Sequence, residues 1–175
     1  MIEINRNVLG LAVALMAVAM LATPVFAAPA TKIEDVDITT STSQSADDPL
    51  IVDHTILHTR GTTFGTCTLT IPGVGTLEGD WYSEWISKNK WSNYPNPDPE
   101  AELIITSKVV LTFTGGTFEG ITQRKITGYP IGPSSYFETH MVLHGTGDFR
   151  GQTLKSSTEG PASAQVGETI LIIPK

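Results

Sequence analysis

Residues 101–127 read Ala101-Glu102-Leu103-Ile104-Ile105-Thr106-Ser107-Lys108-Val109-Val110-Leu111-Thr112-Phe113-Thr114-Gly115-Gly116-Thr117-Phe118-Glu119-Gly120-Ile121-Thr122-Gln123-Arg124-Lys125-Ile126-Thr127. Branched, aromatic and threonine side chains dominate both halves, and such residues fit a pleated surface better than a helix. The Gly115-Gly116 pair between them leaves room only for a tight reversal. The stretch is therefore a β-hairpin, Ala101 to Thr114 followed by Thr117 to Thr127.

The same pattern extends outward in both directions from Pro49 to the end of the chain. It predicts further strands at Leu50 to Thr59, Phe64 to Ile71, Gly75 to Trp85, Ser135 to His144, Gln152 to Thr158 and Glu168 to Ile173, which with the hairpin makes eight. Pro72 to Val74 and Gly145 to Asp148 are, like the Gly115-Gly116 turn, too short for a parallel crossover. The fold class is all-β: an antiparallel meander of about eight strands. Closing it as a small barrel removes exposed edges, and a two-sheet β-sandwich satisfies the same pattern. One segment has a competing reading, since Asp80 to Lys88 could form a helix capped by Asp80.

A short motif recurs after three turns: Gly75-Thr76-Leu77-Glu78-Gly79, Gly116-Thr117-Phe118-Glu119-Gly120 and Gly147-Asp148-Phe149-Arg150-Gly151. Its first glycine suits a turn at positive φ, its second a bend in the outgoing strand, and the apolar residue between them a plug for the barrel end. No phosphate loop is implied, because the lysine and following helix of such a loop are missing. The Gly116 to Gly120 hairpin, together with Thr139-His140-Met141-Val142-Leu143-His144-Gly145-Thr146-Gly147-Asp148-Phe149-Arg150-Gly151, resembles the small β-barrels of the allene oxide cyclase and dirigent type. The resemblance spans residues 60–173 and implies a barrel fold. It transfers no functional residue.

At 175 residues the chain fits a single domain. Val8 to Ala22 form a run without charge that is shorter than the roughly 20 apolar residues a membrane helix needs. Pro24 ends it, and Val25 and Ala27 are the small residues a signal peptidase reads before its cut. The expected organisation is a signal peptide over 1–27, a flexible Ser/Thr-rich leader over 28–48, and one β-barrel domain over 49–175. The protein is then secreted or held at the cell surface. It meets the membrane only if the signal segment is retained.

The formal net charge of -7 and the absence of a basic stripe argue against nucleic acid. In a strand, the adjacent Arg124 and Lys125 point to opposite faces. Cys67 is the only cysteine, so no intrachain disulfide forms, and it reads as a small buried apolar residue.

Two groups of residues carry candidate chemistry. Trp81, Tyr82, Trp85, Trp91 and Tyr94 form an aromatic cluster in which alternation from Leu77 places Trp81 and Trp85 on one strand face, and Trp81, Trp85, Trp91 and Tyr94 are its candidate ligand-binding residues. Exposed, such rings bind an apolar or glycan-like ligand; buried, they are core. The histidines fall as His54 with His58 and His140 with His144. Four residues along a strand separate side chains by about 13 Å, so neither pair chelates one metal alone. Opposed strands could still set His54 against His140, or His58 against His144, and with Glu138 on the same face as His140 a His-His-carboxylate zinc site could form. The expectation is no metal and no cofactor. Which face of the Tyr136 to His144 strand is wet depends on the architecture, and the usual reading buries Phe137, Met141 and Leu143.

No nucleophile elbow, zinc-protease helix or calcium loop occurs. Glu84, Glu102, Glu119, Glu138 and Asp148 are carboxylates by type only, and no catalytic residue is assigned. The first functional expectation is binding of a small apolar or glycan-like ligand, or of a protein partner, without turnover. The alternatives are a barrel isomerase, cyclase or lyase acting on an apolar substrate, and a structural envelope component.

Overall fold

A computed structural model describes residues 29–174, except 54–55, 91–95, 97, 130 and 134; of 43–53 and 129 only the backbone is described. The expected signal peptide lies outside this range, as do Trp91, Tyr94 and His54 of the candidate residues.

The Ala101 to Thr127 hairpin forms in the expected place, and the meander grows from it on both sides. In chain order the strands are β1 (Thr31–Ile33), β2 (Asp37–Asp53), β3 (Ile56–Ile71), β4 (Gly75–Lys90), β5 (Asp98–Phe113), β6 (Gly116–Tyr129), β7 (Tyr136–Gly145), β8 (Thr153–Pro161) and β9 (Val166–Ile173), with one 3-10 turn at Gly147–Phe149. All nine belong to one antiparallel sheet in the order β1-β9-β8-β7-β6-β5-β4-β3-β2. The sheet curls into a half-barrel. Ala30–Pro174 makes up one compact unit.

Closure comes from a short link. β1 and β2 lie at opposite ends of the strand order, yet only Glu34–Val36 separates them in sequence. The two edges therefore meet there, and the Val36 N–H donates to the Thr169 carbonyl of β9 at 3.1 Å. Directly beyond it Asp37 pairs with Thr70 of β3.

Three sequence expectations are corrected here. The segment 28–48 is not a solvated leader: Thr31–Ile33 and Asp37 onward are strands. Its Ser/Thr-rich composition lacks apolar residues because an end strand needs few, and its backbone is satisfied by the ladder from Asp37↔Thr70 to Asp53↔Ile56. The expected break around Gly61 does not occur, since β3 runs unbroken with Gly61 beside Trp85 and Gly65 beside Trp81 of β4. A bulky ring next to a bare backbone position compensates for the weak strand former. The helical reading of Asp80 to Lys88 gives way to β4, whose Trp81 to Lys90 segment is paired on both sides, with β3 and with β5.

The core occupies the hairpin end. Cys67, Leu69, Leu111, Phe113, Phe118, Leu143, Leu154 and Leu171 are buried there together with Val36. The recurrent glycine motif supplies its plug: Phe118 is fully buried, and Leu77 and Phe149 pack against the cluster. The Phe149 ring stacks on Phe118 at 4.8 Å and meets Phe113 edge-on at 6.2 Å. Gly147 sits at φ 57°, a left-handed conformation that disfavours any side chain. At Gly120 a Cβ would collide with the Val142 carbonyl, so this position stays bare to let β7 approach.

Candidate functional site

Strand parity follows from the core. Inward residues of β4 are Leu77, Gly79, Trp81, Ser83, Trp85 and Ser87, because their cross-strand partners on β3 and β5 include Leu69, Cys67, Leu111 and Val109. On β6 the inward set is Phe118, Gly120, Thr122, Arg124 and Ile126. On β7 it is Phe137, Thr139, Met141 and Leu143, as the usual reading expects.

Above the core these faces enclose a cavity of about 360 Å3. Its apolar walls are Ile38, Trp81, Trp85, Ile105, Val109, Leu111 and Met141, drawn from β2, β4, β5 and β7. Between them stand the hydroxyls of Thr63, Ser83, Ser107 and Thr122, from β3 to β6, with Arg124 at the open side. The Trp85 indole N–H donates to Thr63 Oγ1 at 3.0 Å, and the Trp81 indole N–H reaches the Ser41 carbonyl at 3.4 Å. Both rings are half-buried and held in place. No described residue offers the Ser83, Ser107 or Thr122 hydroxyl a hydrogen bond. One layer higher, the buried Asn89 Oδ1 has no donor among the described residues.

Of the aromatic cluster, Trp81 and Trp85 line this cavity, Tyr82 is exposed on the other face of β4, and Trp91 and Tyr94 lie outside the described residues. The sequence did not single out Arg124, although Phe118 and Ile126 share its parity and both are buried. Arg124 is exposed, and its Nε donates to Thr139 Oγ1 at 3.3 Å.

Of the conceivable zinc set, His54 lies outside the described residues, and Glu138 and His140 border one shallow outer hollow with Lys125. Glu138, His140 and His144 face outward, where His140 Nδ1 meets Ser157 Oγ at 3.1 Å and His144 Nδ1 meets Thr153 Oγ1 at 3.4 Å. Among the described residues no group of three His, Cys, Asp or Glu side chains could hold a metal ion.

A second hollow of about 610 Å3 opens on the outward face between Arg60, Glu84, Ile86, Lys108 and Ile121, and Trp85 and Ser107 border it as well as the inner cavity. It lies on the convex side of the sheet, where side chains diverge and a ligand is covered from one side only. The inner cavity is open on one side but draws its walls from six strands on the concave face of the sheet. That geometry favours the inner face as the binding site.

Among the described residues, none of the groups whose acidity is displaced lines the cavity. Burial, with a smaller contribution from Asp80, pushes the Cys67 thiol up to about 11. A hydrogen bond to Glu84 at 3.0 Å raises the exposed Tyr82 phenol. Hydrogen bonds to Glu34 and Glu168 raise the exposed Lys32 ammonium.

No protein family, curated protein or solved structure matches this chain. Function has to be read from the cavity.

Proposed function

We propose that the protein is an exported half-barrel that holds a small apolar or glycan-like ligand on its inner face and releases it unchanged. The observation that carries this is the pair Trp81 and Trp85 on one strand face, bordering a cavity of about 360 Å3 that also presents hydroxyls without partners among the described residues. Indole faces take up apolar or sugar-ring surface, and free hydroxyls orient it. The cavity volume falls in the range of small-molecule sites, roughly 300–1,000 Å3.

An isomerase, cyclase or lyase in the same lumen calls for converging carboxyl or imidazole groups. No described residue of the lining is Asp, Glu, His or Cys, which favours holding over turnover. The resemblance to allene oxide cyclase and dirigent barrels concerns shape alone, and none of their chemistry enters here.

The test is tryptophan fluorescence of the full chain with acrylamide quenching, against a panel of glycans and apolar compounds. A ligand should shield the rings, and Trp85→Phe should weaken its binding. Rings that resist acrylamide without ligand and respond to no compound would refute the proposal.

A further inference from the structure

Resting on that cavity as the binding site, we infer that its ligand is a ring-bearing acid, with the anionic group seated on Arg124 and the rings against Trp81 and Trp85. Arg124 is the only charged residue among the described residues of the lining. Its cross-strand neighbours are Ile105 on β5 and Thr139 on β7. Along its own strand the flanking inward residues are Thr122 and Ile126. None of these is a carboxylate.

The guanidinium carries five N–H donors, and its one described contact is the neutral Thr139 hydroxyl at 3.3 Å. The remaining fork matches a carboxylate or sulfonate, which it binds in bidentate fashion. Lys125 offers the contrast: it faces outward and is paired with Glu102 at 3.3 Å. Of this adjacent pair, Lys125 thus has an acidic partner, and Arg124 has none among the described residues.

The net charge of -7 repels anions in general, but this repulsion is screened beyond about 8 Å at physiological salt. Contact with Arg124 occurs well inside that distance. The rest of the ligand follows from the walls. Two indoles four residues apart on one strand span about 13 Å, a length suited to fused or linked rings. The Ser83, Ser107 and Thr122 hydroxyls lie along that span and would accept a ring substituent such as an amine or hydroxyl.

Two dyes with one skeleton separate the head group from the rings: anilinonaphthalene sulfonate and its uncharged parent, N-phenylnaphthylamine. Each is titrated into the full chain, read by energy transfer from tryptophan, with wild type, Arg124→Gln and Arg124→Lys compared. The expected result is that Arg124→Gln weakens the sulfonate about tenfold, the loss of one charge-assisted contact, and leaves the parent within about twofold. Arg124→Lys keeps the charge and recovers part of the sulfonate affinity. Unchanged sulfonate binding in Arg124→Gln overturns the inference while the cavity proposal stands. So does a wild type that binds the parent but not the sulfonate, or a variant that loses both dyes equally. A wild type that binds neither dye removes the cavity proposal, and this inference with it.

Discussion

Phe118→Ala tests whether the glycine-flanked plug holds the half-barrel shut. The side chain is fully buried, stacks on Phe149 at 4.8 Å and pairs across the ladder with Leu111. Truncating a buried phenylalanine costs about 3–5 kcal/mol, in which the lost aromatic pair accounts for roughly 0.5–1.5 kcal/mol. The site cannot collapse cheaply, because β6 and β7 already approach so closely at Gly120 that a Cβ there would meet the Val142 carbonyl. The upper half of the range, about 4–5 kcal/mol, is therefore expected. For a domain of this size that corresponds to a fall in Tm of roughly 8–20 °C. Urea denaturation followed by circular dichroism measures it, with an unchanged m-value showing that the unfolding transition is the same. Ile121→Ala is the matched control on the same strand: Ile121 is 60% exposed and faces outward, so its loss stays within about 0.5 kcal/mol. A Phe118→Ala cost below about 1.5 kcal/mol, or equal costs at the two positions, would refute the inward assignment of β6 and with it the placing of Arg124.

The buried Cys67 thiol, raised to about 11, should resist alkylation in the native chain at neutral pH and react fully in urea; native labelling at the rate of a free thiol would contradict its burial. Because the fold favours the neutral thiol, Cys67's contribution to stability is complete below its ordinary value of 9.0 and declines as pH rises through about 11. Wild type minus Cys67→Ala stability should shrink over that interval, and a flat difference would refute it. For export, protein recovered outside the producing cell should begin at Ala28 on amino-terminal sequencing. Recovery with Met1 intact would refute cleavage.

Much of the fold was legible in local chemistry. The Ala101 to Thr127 hairpin, the tight turns and the plug residues follow from glycine placement and from strand-forming side chains that leave no helical period. So does the shared face of Trp81 and Trp85, since alternation is a property of any strand. The inward facing of Phe137, Met141 and Leu143, which turns Glu138, His140 and His144 to the other face, follows from their apolar parity.

Other features depended on the assembled sheet. The stretch around Thr39 to Ser45 has the composition of a solvated tail, and it becomes strand only because β3 supplies a ladder partner and Val36 and Ile38 anchor its start in the core. Gly61 reads as a break until Trp85 stands beside it. Adjacent basic residues must point to opposite faces, so Arg124 and Lys125 were separated by sequence alone. Which of them points inward was decided by the register that sets Arg124 between Ile105 and Thr139. Alternation is intrinsic to one strand, whereas inside and outside exist only after the sheet has curled and its two ends have met at Glu34–Val36.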